Sequence, residues 1–153
     1  GKVTARGRTT MDWLVNTFKP YVDEEFPTIP DRECTFIAGS SMGGLMSLYA
    51  VTQYNQGFSR AAALSPSLWV APERLDWLLR WVPLDPNTVV YMDLGEQELG
   101  FRGMKRQYSR VVNRLLDRRV VLNSRIVPGG DHSEGSWEKQ VPFFMDTLLY
   151  GLV

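Results

Sequence analysis

Apolar residues in this chain change their spacing several times, and each change marks a new element. Trp13, Leu14, Phe18 and Val22 recur at helical intervals, which predicts a helix capped at Thr9 or Thr10. It runs to about Phe26, where Pro27 and Pro30 end it. Thr35 to Ala38 is a short continuous apolar run and reads as a buried strand. Leu45, Leu48, Tyr49 and Thr52 restore helical spacing over 42–54, and Gly57 follows as a stop. Arg60 to Leu64 reads as a second strand, closing in Ser65-Pro66-Ser67. Pro72 opens a helix whose apolar face is Leu75, Leu78, Leu79 and Val82, and Pro83 and Pro86 break it. Thr88 to Met92 is a third strand, followed by a polar turn between Gly95 and Gly100. A long helix over about 105–118 leads to a fourth strand over 120–127, and Pro128-Gly129-Gly130 turns the chain. The closing helix spans 137–150, with Pro142 at the start of its regular part.

Strands alternate with helices throughout, and no internal repeat or linker interrupts them. This order predicts an α/β fold: a mostly parallel sheet of about four strands with flanking helices, in one domain over 1–153. Composition narrows the function more than the fold. The 17 basic and 17 acidic residues balance, so nothing calls for nucleic acid or an anionic membrane as partner. No apolar run approaches the roughly 18 residues that a membrane span needs. Cys34 is the single cysteine, reads as a small buried filler of the first strand, and can form no intrachain disulfide. The opening Gly1-Lys2-Val3-Thr4-Ala5-Arg6-Gly7-Arg8 lacks an initiator Met and reads as loop from the middle of a protein. The expected setting is cytoplasmic and of bacterial type, with a signal peptide left open because the N-terminus reads as incomplete.

The chemistry starts at Gly39-Ser40-Ser41-Met42-Gly43, a G-x-S-x-G pattern between the first strand and the second helix. A sharp strand-to-helix turn of this kind, the nucleophile elbow, lifts a serine hydroxyl above a parallel sheet. Side chains two residues before and after that serine would collide, so both places call for glycine, and Gly39 and Gly43 fill them around Ser41. Ser40 fits worse, because its own +2 neighbour is Met42. A serine hydroxyl needs a base, and His132 is the one histidine. It follows the fourth strand, at the same sheet edge as Ser41, where parallel sheets collect their sites. A carboxylate must then hold the imidazole. Asp93, Glu96 and Glu98, all around the turn after the third strand, are candidates; Glu98 is preferred, and Asp131, adjacent to His132, ranks below them. The Met42 N–H, one residue past the serine at a helix start, is the expected oxyanion donor. Arg102, Arg106, Arg110, Arg114 and Arg118 recur every four residues and read as a solvated ridge. Arg102 stands apart, because it follows the acid loop and suits an anionic substrate group; Trp69 suits an aromatic one.

These segments resemble the esterase D and enterochelin-esterase-like branch of the α/β-hydrolases. The resemblance rests on Phe18 to Asp23, the Ile37–Leu45 elbow, Leu64-Ser65-Pro66-Ser67-Leu68-Trp69, Tyr91 to Glu98, and Gly130-Asp131-His132 with Trp137. It implies a serine hydrolase that cleaves carboxylic esters through an acyl-enzyme on Ser41, with His132 as general base and Glu98 as the acid that orients it. Neither metal nor organic cofactor is implied, and the expected partner is a small ester. Members of that branch are longer, with about eight strands, so the chain reads as the C-terminal half without the N-terminal strands. Pairing with such an N-terminal half, or with a second copy, is therefore expected, and the second oxyanion donor would come from the absent part. Two other readings stand beside this one: a non-catalytic half-domain or assembly module that retains the triad, and an acyltransferase or thioesterase using the same residues.

Overall fold

A computed structural model describes residues 6–152. Residues 1–5, part of the opening segment read as loop, lie outside the described residues, and Gly7 and Arg8 already belong to a helix. That helix, α1 (Gly7–Trp13), passes through a π turn at Leu14–Phe18 into α2 (Lys19–Glu25). Thr9 and Thr10 are inside α1 and do not cap it. The π turn has a local cause: Pro20 cannot donate to the carbonyl four residues back, and its ring would clash there, so the helix widens. Widening also rotates the apolar stripe. Met11, Leu14 and Val15 face Ala50 and Phe58 in a small core, whereas Trp13 and Phe18 are exposed and stack on each other at 5.1 Å.

Four strands follow: β1 (Phe36–Ser40), β2 (Arg60–Leu64), β3 (Val89–Gly95) and β4 (Val121–Val127). All are parallel and lie in chain order, with Ser40 opposite Leu64, Leu64 opposite Asp93, and Asp93 opposite Arg125. This register sets the carboxyl ends of neighbouring strands side by side. Between them run α3 (Met42–Gln53), α4 (Pro72–Trp81) and α5 (Met104–Asp117); α6 (Glu134–Glu138) and α7 (Val141–Leu149) close the chain. Period-2 alternation sends Ala61, Ala63, Val90, Met92 and Leu94 to one face, where they meet Leu45, Leu48, Leu75, Leu79 and Leu115. Ala62, Leu64 and Tyr91 point to the other face and meet Leu148, Phe144 and Trp137.

Three further expectations change. Cys34 is exposed, in a 3-10 turn at Arg32–Cys34, because the strand begins only at Phe36. The closing helix is broken between Glu138 and Val141, with Pro142 in the first turn of α7, where its missing N–H costs nothing. The arginine ridge is a solvated face only at Arg102 and Arg106, which are exposed: Arg110 and Arg114 reach the buried Asp76 of α4 at 3.1 and 2.7 Å, and Arg80 reaches it at 3.0 Å. Arg118 donates to the carbonyls of Leu79, in the last turn of α4, and of Val82, just past its end. Burial pushes the Asp76 carboxyl up, but the hydrogen bond from Arg114 and the charges of Arg110, Arg114 and Arg80 outweigh it and hold it below the usual range. This ion cluster locks α4 to α5 and so fixes the helices on which the β2 and β3 loops rest.

Candidate active site

Four loops meet at the carboxyl edge of the sheet, one from each strand. The turn from β1 to α3 holds Ser41 at φ 55°, ψ −119°, a left-handed conformation for a non-glycine residue. Its N–H donates to Leu64 O at 2.9 Å, and its carbonyl accepts the first helical bond, from Leu45, at 3.1 Å. A Cβ on Gly39 would lie 2.5 Å from the Gly43 carbonyl carbon, so that glycine is demanded by close backbone approach. Gly43 is different from expectation, since a Cβ there meets nothing within 4 Å. The second tight glycine is Gly44, where a Cβ would sit 3.0 Å from Leu64 O and 3.1 Å from Pro66 Cα. Strand β1, helix α3 and the end of β2 are therefore packed backbone to backbone.

The loop after β2 starts with Ser65, also left-handed at φ 41°. Its N–H is held by Asp93, through O and Oδ1 both at 3.1 Å. That turn aims the Ser65 hydroxyl at Glu98 Oε2, 2.5 Å away. Glu98 lies on a 3-10 turn (Glu96–Gly100) after β3 and is wholly buried. A buried carboxylate is costly unless its oxygens are bonded. Here Gly95 N–H adds a second donor to Oε2 at 2.8 Å, and His132 Nδ1 lies 2.7 Å from Oε1.

The loop after β4 brings His132. Glycine-only approach recurs: a Cβ on Gly95 would lie 2.5 Å from Gly130 O. Gln97 N–H donates to that same oxygen at 3.0 Å, and Gly129 N–H donates to Glu96 Oε2 at 2.8 Å. The acid turn and the histidine loop are thus clipped together. Trp137 meets the imidazole edge to face, with centroids 5.0 Å apart at 87°. On its other side, His132 Nε2 lies 2.9 Å from Ser41 Oγ. An ionised carboxylate can only accept, so the imidazole proton belongs on Nδ1 and leaves Nε2 as the acceptor of the Ser41 hydroxyl. Ser41, His132 and Glu98 therefore form one continuous hydrogen-bonded line.

The other acids are placed elsewhere. Asp93 is buried within β3, where it accepts from Tyr91 OH at 2.7 Å and from Ser65 N–H. Burial pushes its carboxyl up, and the nearby Glu98 charge adds to this, against those hydrogen bonds and the charge of Arg125. Glu96 and Asp131 bond within the loops, to Gly129 N–H and Ser133 Oγ. Trp69 and Arg102 are exposed in the loops after β2 and β3, and neither shares a hydrogen bond with the Ser41–His132–Glu98 line. Met42 begins α3, where helix geometry leaves the first N–H groups without an intrahelical acceptor. Sequence reading assigned no role to Ser65 or Ser67, although both belong to a strand-end loop beside Ser41. Among the described residues, no group of three or more His, Cys, Asp or Glu is arranged to hold a metal ion, and no helix is long and apolar enough to cross a membrane.

A family model described as "Putative esterase" matches residues 5–145. The chain belongs to this esterase family. Solved structures of other proteins share its fold. The enterobactin esterase FES from Shigella flexneri superposes with a TM-score of 0.79 at 21% identity, covering 92% of this chain and 37% of that one. The S-formylglutathione hydrolase FrmB from Staphylococcus aureus superposes with a TM-score of 0.67 at 16% identity, covering 94% of this chain and 61% of that one. Among curated sequences, the uncharacterized protein YbbA of Bacillus subtilis (strain 168) is 28% identical over 86 residues, 56% of this chain and 34% of that protein. The chain thus spans between about a third and three-fifths of the length of these similar proteins.

Proposed function

We propose that the protein is a serine hydrolase that cleaves carboxylic esters through an acyl-enzyme on Ser41. The observation that carries this is the unbroken line of contacts from Ser41 Oγ to His132 to a buried Glu98, at 2.9 and 2.7 Å. The left-handed Ser41, set at a strand-to-helix turn and flanked by backbone contacts that admit only glycine at 39, supports its reading as the nucleophile of an elbow. Membership of the esterase family and the likeness to solved esterases support the reaction class.

In this reading Ser41 Oγ attacks the acyl carbon while its proton passes to His132 Nε2. The imidazolium is stabilised by Glu98, whose charge is fixed by Ser65 and Gly95 and costs nothing to reorganise. The Met42 N–H, aided by the start of α3, takes the oxyanion. His132 then gives its proton to the leaving alcohol. Water, deprotonated by the same nitrogen, attacks the acyl carbon, and Ser41 Oγ leaves with the proton. Trp69 and Arg102 flank this edge and offer an aromatic surface and a cation to the substrate.

The test is steady-state hydrolysis of p-nitrophenyl esters by the protein and its variants. Ser41→Ala and His132→Ala are expected to lower kcat by about 10⁴-fold or more. A Ser41→Ala variant that hydrolyses at the parent rate overturns the reading.

A further inference from the structure

Ser67 is buried, yet its hydroxyl lies 3.3 Å from Ser41 Oγ, the atom that reacts in the reading above. Among the described residues it has no other side-chain hydrogen-bond partner. Its backbone is fixed to the same residue, since Ser67 N–H donates to Ser41 O at 3.0 Å, and Val70 N–H donates to Ser67 O at 3.2 Å. The direction of the side-chain contact follows from proton inventory. Ser41 has one hydroxyl proton, and it points to His132 Nε2. The hydrogen shared between the two serines is therefore Ser67's, donated to a lone pair of Ser41 Oγ.

We propose that Ser67 is a further catalytic residue, whose hydroxyl stabilises Ser41 Oγ as the leaving oxygen when the acyl-enzyme breaks down. This rests on the serine-hydrolase reading. The two half-reactions use Oγ in opposite senses. In acylation Oγ forms a bond to the acyl carbon and becomes an ester oxygen, a poor acceptor, so the contact weakens. In deacylation water adds to the acyl carbon, the C–Oγ bond breaks, and electron density returns to Oγ before the imidazolium proton reaches it. A donor poised at 3.3 Å is long for a resting hydrogen bond and shortens as that charge develops. An interaction stronger in the transition state than in the ground state accelerates that step and not the other. The same loop thus serves both ends of the line: Ser65 holds Glu98, and Ser67 holds the serine oxygen.

The experiment separates the half-reactions with a p-nitrophenyl ester. Release of p-nitrophenol gives the acylation rate, and intact-protein mass after acid quench gives the decay of the acyl adduct. Ser67→Ala is expected to slow decay of the adduct about tenfold, the worth of one hydrogen bond, while acylation changes less than about twofold. Ser67→Thr keeps the hydroxyl and is expected to restore decay; Ser67→Cys, a weak donor of similar size, falls between and carries the test if the alanine variant does not fold. Decay at the parent rate in Ser67→Ala and Ser67→Cys, or acylation slowed as much as decay, overturns the proposal. Parent protein that forms an adduct on Ser41 while the variants show no split sinks this inference alone. Parent protein that forms no adduct sinks the hydrolase reading with it.

Discussion

Gly95→Ala tests whether the site depends on backbone contact between two loops. The new Cβ would lie 2.5 Å from Gly130 O, 2.6 Å from Gly130 C and 2.9 Å from Asp131 N, all main-chain atoms. Ordinary contact begins at 3.4 Å, so the β3 and β4 turns must part by about 0.9 Å. No flexible side chain can absorb this. The Gln97–Gly130 bond at 3.0 Å spans the same gap, and two residues beyond Gly130 stands His132. Carried to the imidazole, the shift stretches the 2.7 Å Glu98–His132 bond beyond hydrogen-bonding range. Misplacing a catalytic group by about 1 Å costs on the order of a hundredfold in rate, and overpacking costs about 1–3 kcal/mol in stability. The assay is kcat on an activated ester alongside urea unfolding, with Gly100→Ala as control, because a Cβ at Gly100 meets nothing within 4 Å. A Gly95→Ala protein within threefold of parent activity would refute the reasoning.

Gly39→Ala should disrupt the Ser41 turn and abolish activity, whereas Gly43→Ala, whose Cβ meets nothing, should fold and keep activity within a few-fold; ester hydrolysis and circular dichroism check both. Glu98→Gln presents His132 with an amide in place of the acceptor and should lower kcat by about 10²–10⁴-fold. Glu96→Gln keeps an oxygen for Gly129 N–H and should stay within about threefold, so the two kcat values distinguish the acids. Asp76→Ala leaves Arg80, Arg110 and Arg114 without their shared carboxylate and should cost about 2 kcal/mol at neutral pH. The folded Asp76 carboxyl titrates below its ordinary 3.8, so its contribution is present above that pH and lost as pH falls through the folded value. The stability gap between parent and Asp76→Ala should therefore close in acid, as urea titrations at pH 7 and below pH 3.8 would show.

Much of this architecture was legible because local signals agree. The β2 bounds, Arg60–Leu64, follow from an apolar run between Gly57 and a Ser-Pro-Ser turn. The placement of Ser41 and His132 at one edge follows from parallel order alone. What was hidden depends on contacts between distant segments. Periodicity cannot see that Pro20 widens a helix and turns Trp13 and Phe18 outward. Every-fourth arginines look alike whether they face water or a buried Asp76 on the neighbouring helix. Gly43 satisfies the G-x-S-x-G spacing, yet the steric demand is at Gly39, which meets the Gly43 backbone, and at Gly44, where Leu64 O and Pro66 press. Position along the chain favours Glu98 but leaves Asp93 and Glu96 open, and only the fold shows that those two are bonded elsewhere. Ser65 and Ser67 gain meaning only once β2 is seen beside both β1 and β3.

A fluorophosphonate reacts with a serine only when a neighbouring base activates it. Peptide mass mapping of the protein after such treatment is the most direct measurement of the account. The expected result is one phosphonyl adduct, carried by Ser41 and absent from Ser41→Ala, with labelling slowed strongly in His132→Ala. Labelling that ignores both substitutions, or an unlabelled Ser41 in folded protein, would contradict it.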